Sequence, residues 1–171
     1  KGLQVANALA SFEPKLSEFF DGQIQKKNKT DLAEGMRQYL DADPDARENF
    51  RMAIKSGEID LVQSPFFIKG LTSGILKEKS REFGSKMVEE WSQRKDNSGF
   101  DVSDFIAQSQ DLFITENGLA DYDAELFAAE FAPRAENYAN IVGQRHYEHK
   151  IKRAKQARID LIPSDMIAAY E

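Results

Sequence analysis

Apolar and polar residues recur along this chain with a helical period. Val102, Phe105, Ile106, Leu112 and Phe113 fall at offsets of 0, 3, 4, 10 and 11, which is one face of a 3.6-residue repeat. Leu76, Ser80, Phe83, Met87 and Trp91 follow one another at spacings of 4, 3, 4 and 4. No run alternates with period two, so strand signals are weak. The pattern predicts an all-α fold: an elongated multi-helix bundle with one long central helix and short loops.

Start and stop residues divide the pattern. A short helix is expected over Leu3 to Ala10. Ser11 caps a second one, with Pro14 in its first turn and Leu16, Phe19, Phe20 and Ile24 on one side, running to about Leu40. Its middle, "QIQKKNKTD", is polar all round and predicts a poorly packed or broken stretch. Asp43 and Pro44 read as N-cap and first helical residue, and Gly57 as the stop, with Phe50, Ala53 and Ile54 on one face between them. Ser64 and Pro65 repeat that start ahead of the long helix, which "KDNSG" ends at 95–99. Asp101 caps the next helix and Asp104 sits at its positive end; Asn117 and Gly118 close it. A short helix over about Asp121 to Phe131 follows. Pro133 then opens another to about Asp160, and Pro163 starts a last turn. Such short loops make consecutive helices near neighbours. We read residues 1–171 as a single helical region, the N-terminal ordered part of a longer chain beginning at Lys1, with a subdivision into 1–60 and 61–171.

The long helix poses a problem. It carries Gly70, Gly74 and Gly84 in its interior, and each glycine costs an isolated helix ~1 kcal/mol relative to alanine. Gly70 and Gly74 are four apart and share a face, where another backbone can approach more closely than any larger side chain allows. Lys69, Lys77, Glu78 and Lys79 exclude a membrane span. The opening "SPFF" sets Phe66 and Phe67 on adjacent sides of the first turn, so both are buried only against two different elements. Phe66, Phe67, Gly70, Gly74 and Trp91 are therefore the candidate interface residues.

Composition narrows the class. Hydrophobic residues make up 41% and charged residues 30%, a globular balance. The chain has no cysteine, which removes disulfides and thiol catalysis. No apolar run approaches ~18 residues, so no transmembrane segment is expected in this region. Charge is unevenly spread. Gln144 to Arg158 holds six cations and one acid, whereas Asp96 to Glu136 holds ten acids and one base. Lys150, Lys152, Arg153, Lys155 and Arg158 form a candidate electrostatic contact, for an acidic surface of a neighbouring subunit or for DNA. Tyr147, Ile151 and Ala154 are expected to pack inward. An ordinary solvated face is the competing explanation, and the sequence pI near 5 argues against a dedicated DNA-binding protein.

Candidate chemistry is sparse. There is no nucleophile elbow, phosphate loop, zinc-protease helix or EF-hand loop. The pairs Glu89–Glu90 and Asp121–Asp123 read as solvated faces. His146 and His149, in "HYEH", share a helix face, with Glu148 and Glu136 near by, but two histidines make half a metal site. Two polar rings bordering a packed face is the better reading. No catalytic residue, cofactor or metal is expected.

Three stretches carry a resemblance. "SPFF" leads a glycine-interrupted amphipathic helix. "DYDAELFAAEFAPRAENYANIVGQRH" places Phe131-Ala132-Pro133 after a short helix and His146 within a long one. "GLQVANALASFEPKL" carries Phe12 and Pro14. Together they cover most of the chain in the family's order, and they resemble the internal virion proteins of short-tailed bacteriophages. The resemblance implies a non-enzymatic structural protein of the internal core, stacked as homo-oligomeric rings with other internal virion proteins near the portal. It implies ejection into the host envelope and periplasm to help form a conduit for the genome, with non-specific DNA contact. Companion proteins carry a lytic transglycosylase domain; its catalytic glutamate motif is not recognisable here, so that activity is not transferred. The alternative is a helical adaptor or scaffold module, such as a head–tail connector. A small hydrolase ranks last, since it needs two acids buried together.

Overall fold

The structure, a computed structural model, describes the backbone of residues 14–61, 63–163 and 166, and side chains from residue 22 onward except residues 60 and 61. The expected helix over Leu3 to Ala10, the Ser11 cap, the side chains of Leu16, Phe19 and Phe20 and most of the final turn lie outside the described residues. Those residues form α1 (Pro14–Asp41), α2 (Pro44–Ser56), α3 (Pro65–Arg94), α4 (Val102–Glu116), α5 (Ala124–Leu126) and α6 (Ala132–Asp160), with short 3₁₀ turns at Glu58–Leu61 and Leu119–Asp121. No strand occurs among them, so the fold is all-helical. Helices α1, α3 and α6 have 28, 30 and 29 residues.

Local signals place most boundaries. The Asp43 carboxylate accepts from the Ala46 N–H at 2.8 Å, and Gly57 ends α2 at φ 74°. Asp101 accepts from the Asp104 N–H at 2.9 Å, and Gly118 closes the following turn at φ 58°. The Ser64 hydroxyl accepts from the Phe67 N–H at 3.2 Å and donates to Asp31 at 2.9 Å. Of the two outcomes expected for "QIQKKNKTD", poor packing holds, since residues 22–30 are nearly all exposed, and a break does not; the break expected ahead of Pro133 is also absent. Helix α1 runs unbroken through "QIQKKNKTD", since glutamine and lysine are good helix formers even with one solvated side after another. Around Pro133, helical backbone continues over 124–160 through one wide π turn at Phe127–Phe131. Proline lacks an N–H, and its ring crowds the carbonyl four residues back; a wider turn there relieves both problems.

The chain forms two compact units. The first comprises the described residues up to Glu78 together with Tyr122–Phe127; the second comprises Lys79–Asp121 and the described residues from Ala128 on. The division falls inside α3 rather than at 60/61, because the first half of that helix packs with α1.

That packing answers the glycine question. A Cβ on Gly70 would sit 2.1 Å from the Leu32 carbonyl oxygen, and one on Gly35 would sit 2.1 Å from the Phe67 oxygen. Helices α1 and α3 thus cross backbone to backbone, each supplying a glycine. Gly74 lies against the Tyr39 ring, its Cβ position 3.0 Å away. Residues 70–76 are buried on every side of the helix, which suits small Thr72, Ser73 and Gly74 there. Gly84 serves the second unit, where the Tyr138 ring lies 2.4 Å from its absent Cβ.

Phe67 is buried at 8% exposure, but Phe66 is 36% exposed, so the paired burial expected for them does not occur. Adjacent residues on a helix point about 100° apart, and the α1 side takes Phe67 while the Phe66 ring lies under the Lys69 ammonium at 6.0 Å. Phe67→Ala should cost about 3–5 kcal/mol and Phe66→Ala under about 1 kcal/mol. Urea denaturation of the two variants checks this; equal losses would contradict it.

In the second unit, Phe83 of α3, Phe113 of α4 and Phe131 of the π turn form an aromatic trio with centroids 5.3–6.1 Å apart. Phe83 and Phe131 are almost fully buried, as are Ser80 and Met87 of the predicted α3 stripe.

Candidate functional site

Two polar clusters and one charged surface stand out. In the first unit, Glu78 of α3 receives Arg47 at 2.7 Å, Arg51 at 3.3 Å and the Tyr39 hydroxyl. Arg51 also donates to the Tyr39 oxygen at 2.7 Å. Arg47 donates onward to the carbonyls of Leu40 and Ala42, satisfying oxygens that the end of α1 leaves without helical partners. Burial, then the hydrogen bond to Glu78, pushes the Tyr39 phenol well up, so it remains a donor. Burial alone would raise Glu78; the hydrogen bonds from Tyr39 and Arg47 and the two guanidinium charges outweigh it and hold the carboxyl below 4.5. This cluster is not among the residues expected from the sequence. Its signals were a carboxylate four residues beyond Gly74 and two arginines four apart on the facing helix. With one carboxylate held ionised and every partner donating to it, the cluster ties α1, α2 and α3 together.

In the second unit, Trp91 is buried and its indole N–H donates to His146 Nδ1 at 3.3 Å. Phe100 packs edge-on against the His146 ring at 5.3 Å. His146 is 4% exposed and its Nε2 has no partner. His149 Nε2 lies 2.8 Å from Asp96, which Arg153 also approaches at 3.4 Å. Hydrogen bonding to His149 lowers the Asp96 carboxyl. Among the described residues, no three His, Asp or Glu side chains are arranged to hold a metal ion.

Burial, then the charges of Lys150 and His149, lowers the His146 imidazole, against Asp101, which raises it. The sign follows. Neutral His146 contributes stability in full above the ordinary imidazole value of 6.5, and this is lost as pH falls through the lowered folded value. Wild type should therefore lose more thermal stability than His146→Gln between about pH 8 and about pH 5. Parallel melting curves across that range would remove His146 from the account.

The face of α6 that packs inward is Ala135, Val142 and His146, with Tyr138 and His149 half-buried between and beside them. Tyr147, Ile151 and Ala154, expected inside, are exposed. They lie on a neighbouring side of the helix, about 80–140° round from His146, and Tyr138 reaching over Gly84 settles which side turns in. From Lys150 to Asp160 every residue is exposed. Among the described residues Lys150, Lys152, Lys155 and Arg158 form no ion pair, whereas Arg153 is engaged with Asp96. The electrostatic candidate thus reduces to four free cations. Of the interface candidates, Phe67, Gly70, Gly74 and Trp91 are occupied within their own unit, which leaves Phe66 open.

Opposite in sign, Asp101, Asp104 and Asp111 line the outer side of α4, all exposed. Between α4 and the second half of α3 runs a groove of about 180 Å³ floored by Phe83, Met87, Phe105 and Phe113, with the 54% exposed Leu112 at its edge.

The described residues define an all-helical protein. Comparison of the chain with protein-family models, curated proteins and solved structures finds no match. Among the described residues no helix is long and apolar enough to cross a membrane.

Proposed function

We propose that this chain is a non-enzymatic structural protein of the internal core of a short-tailed bacteriophage virion. In this reading it assembles as a homo-oligomeric ring, with the elongated form expected from sequence. It lies with other internal virion proteins near the portal, and is ejected into the host envelope and periplasm to help form a conduit for the genome. The observation that carries it is the order of the three family-like stretches along one helical chain. Two of them coincide with packing features: Ser64-Pro65-Phe66-Phe67 starts the helix that crosses α1, and Phe131 ends the wide turn after which Ala132 and Pro133 open the helix that carries the buried His146. Among the described residues, Lys150, Lys152, Lys155 and Arg158 at the end of α6 form no ion pair and Asp101, Asp104 and Asp111 are exposed, which suits contact with protein or DNA.

Mass spectrometry of purified virions tests the reading. Peptides of this chain should occur in intact particles and be lost from particles that have ejected their DNA. Their presence in both would favour a head–tail connector, and their absence from virions would leave a helical scaffold outside the particle.

A further inference from the structure

We propose that the exposed end of α6, from Gly143 to Leu161, docks lengthwise on the α3–α4 groove and the acidic face of α4 in a second copy of this chain. The inference rests on the reading of the chain as a self-assembling protein and names the surfaces that assemble.

Gly143, Tyr147, Ile151, Ala154 and Leu161 recur at spacings of 4, 4, 3 and 7 along one side of α6, with Arg158 at the one missing step. This side lies away from the buried stripe of Ala135, Val142 and His146. Tyr147 is 67% and Leu161 82% exposed, and nothing lies within 4 Å of a Cβ placed on Gly143. A helical glycine with no neighbour costs stability without serving its own fold. It does leave room for another chain to approach beside an exposed tyrosine. Lys150 and Lys155 flank this side and, among the described residues, have no ionic partner.

The receiving surface has the complementary features. Its groove is apolar along the floor, and Leu112 stands exposed on its border. Asp101, Asp104 and Asp111 lie on the exposed outer side of α4, beyond the Gln108 and Ser109 that line the groove from that helix. The opposite bank carries Glu90 together with Lys86, paired with Glu116 at 3.5 Å, and Arg94, held over the Phe105 ring at 5.8 Å. Helix α4 has 15 residues and the incoming stretch from Tyr147 to Leu161 is equally long, so each is about 22 Å in length. An amphipathic helix in a groove, with flanking charges setting register, is an established mode of recognition. Pairing of two α6 ends with each other is disfavoured by their like charge. A polyanion, whether nucleic acid or anionic lipid, would have no use for the aliphatic stripe and would meet the strongly acidic 96–136 segment.

Sedimentation of the full chain at low ionic strength tests this. Wild type should associate with rising concentration, and K150E/K155E and D104K/D111K should each weaken association by at least about tenfold. Both pairs lie at exposed positions, so circular dichroism should remain that of wild type. Mixing the two variants should restore association, because each then offers the charge the other lacks; I151S should weaken it without rescue. A wild type that stays monomeric, variants that associate like wild type, or a mixture that fails to recover would each overturn the proposal. So would K150E/K155E losing retention on duplex DNA or on anionic vesicles while its self-association is unchanged. Detection of the chain in virions is unaffected by any of these results, so the functional reading stands or falls separately.

Discussion

Gly70→Ala is expected to destabilise the first unit by more than about 3 kcal/mol, at the severe end of overpacking. Alanine is the better helix former, so propensity alone predicts a gain of ~1 kcal/mol. Sterics reverse the sign. The new methyl would lie 2.1 Å from the Leu32 carbonyl oxygen and 2.9 Å from the Met36 nitrogen. Both are backbone atoms of a helix and cannot rotate aside, so α1 and α3 must separate. Separation also pulls Tyr39 away from Gly74 and Glu78. Gly35→Ala meets Phe67 in the same way and should cost a similar amount. Gly22→Ala is the control, since nothing lies within 4 Å of its Cβ, and it should gain up to ~1 kcal/mol. Thermal and urea melts of the three variants check the ordering; a Gly70→Ala protein as stable as wild type would refute the backbone crossing.

Glu78→Gln is expected to cost about 1.5–3 kcal/mol, the range for hydrogen bonds to a charged group in a partly buried cluster. The glutamate side chain is 18% exposed, and those of Arg47 and Arg51 are 27% and 21% exposed. Without the carboxylate Arg47 loses its ionic partner, while Arg51 keeps Glu48 at 2.6 Å. Arg47 is also the group that closes the carbonyl end of α1, so the loss extends to that helix terminus. The pH signature separates this from a packing defect. Because folding holds the Glu78 carboxyl below its ordinary value, its contribution is present above 4.5 and is lost as pH falls through the lowered folded value. The acid limb of stability should therefore be shallower in Glu78→Gln than in wild type. Urea titrations at about pH 7 and about pH 4 measure the difference; equal slopes would contradict the assignment.

The candidate surfaces were legible as composition but not as geometry. The basic run and the acidic run are visible in the order of residues. Which cations remain free depends on Asp96, more than fifty residues from Arg153, reaching it. The α6 stripe shows the limit more sharply. Two apolar faces are compatible with the letters of this helix, one through Val142 and His146 and one through Tyr147 and Ile151. Hydrophobicity favours the second, yet the first is buried. Shape decides it: Tyr138 fits the gap at Gly84, and the Trp91 indole N–H finds an acceptor in His146.

What the sequence determined by itself is the all-helical class, the interior stripe of α3 and most helix ends. These depend on groups within a few residues of one another: a capping carboxylate and the N–H three positions on, a glycine free to take positive φ, a proline at a first turn. Only the tertiary structure decided what each interior glycine is for, why Phe67 is buried and Phe66 is not, and why Pro133 lies within continuous helix. Each of those depends on atoms brought together from distant parts of the chain, and close packing leaves room there for one arrangement.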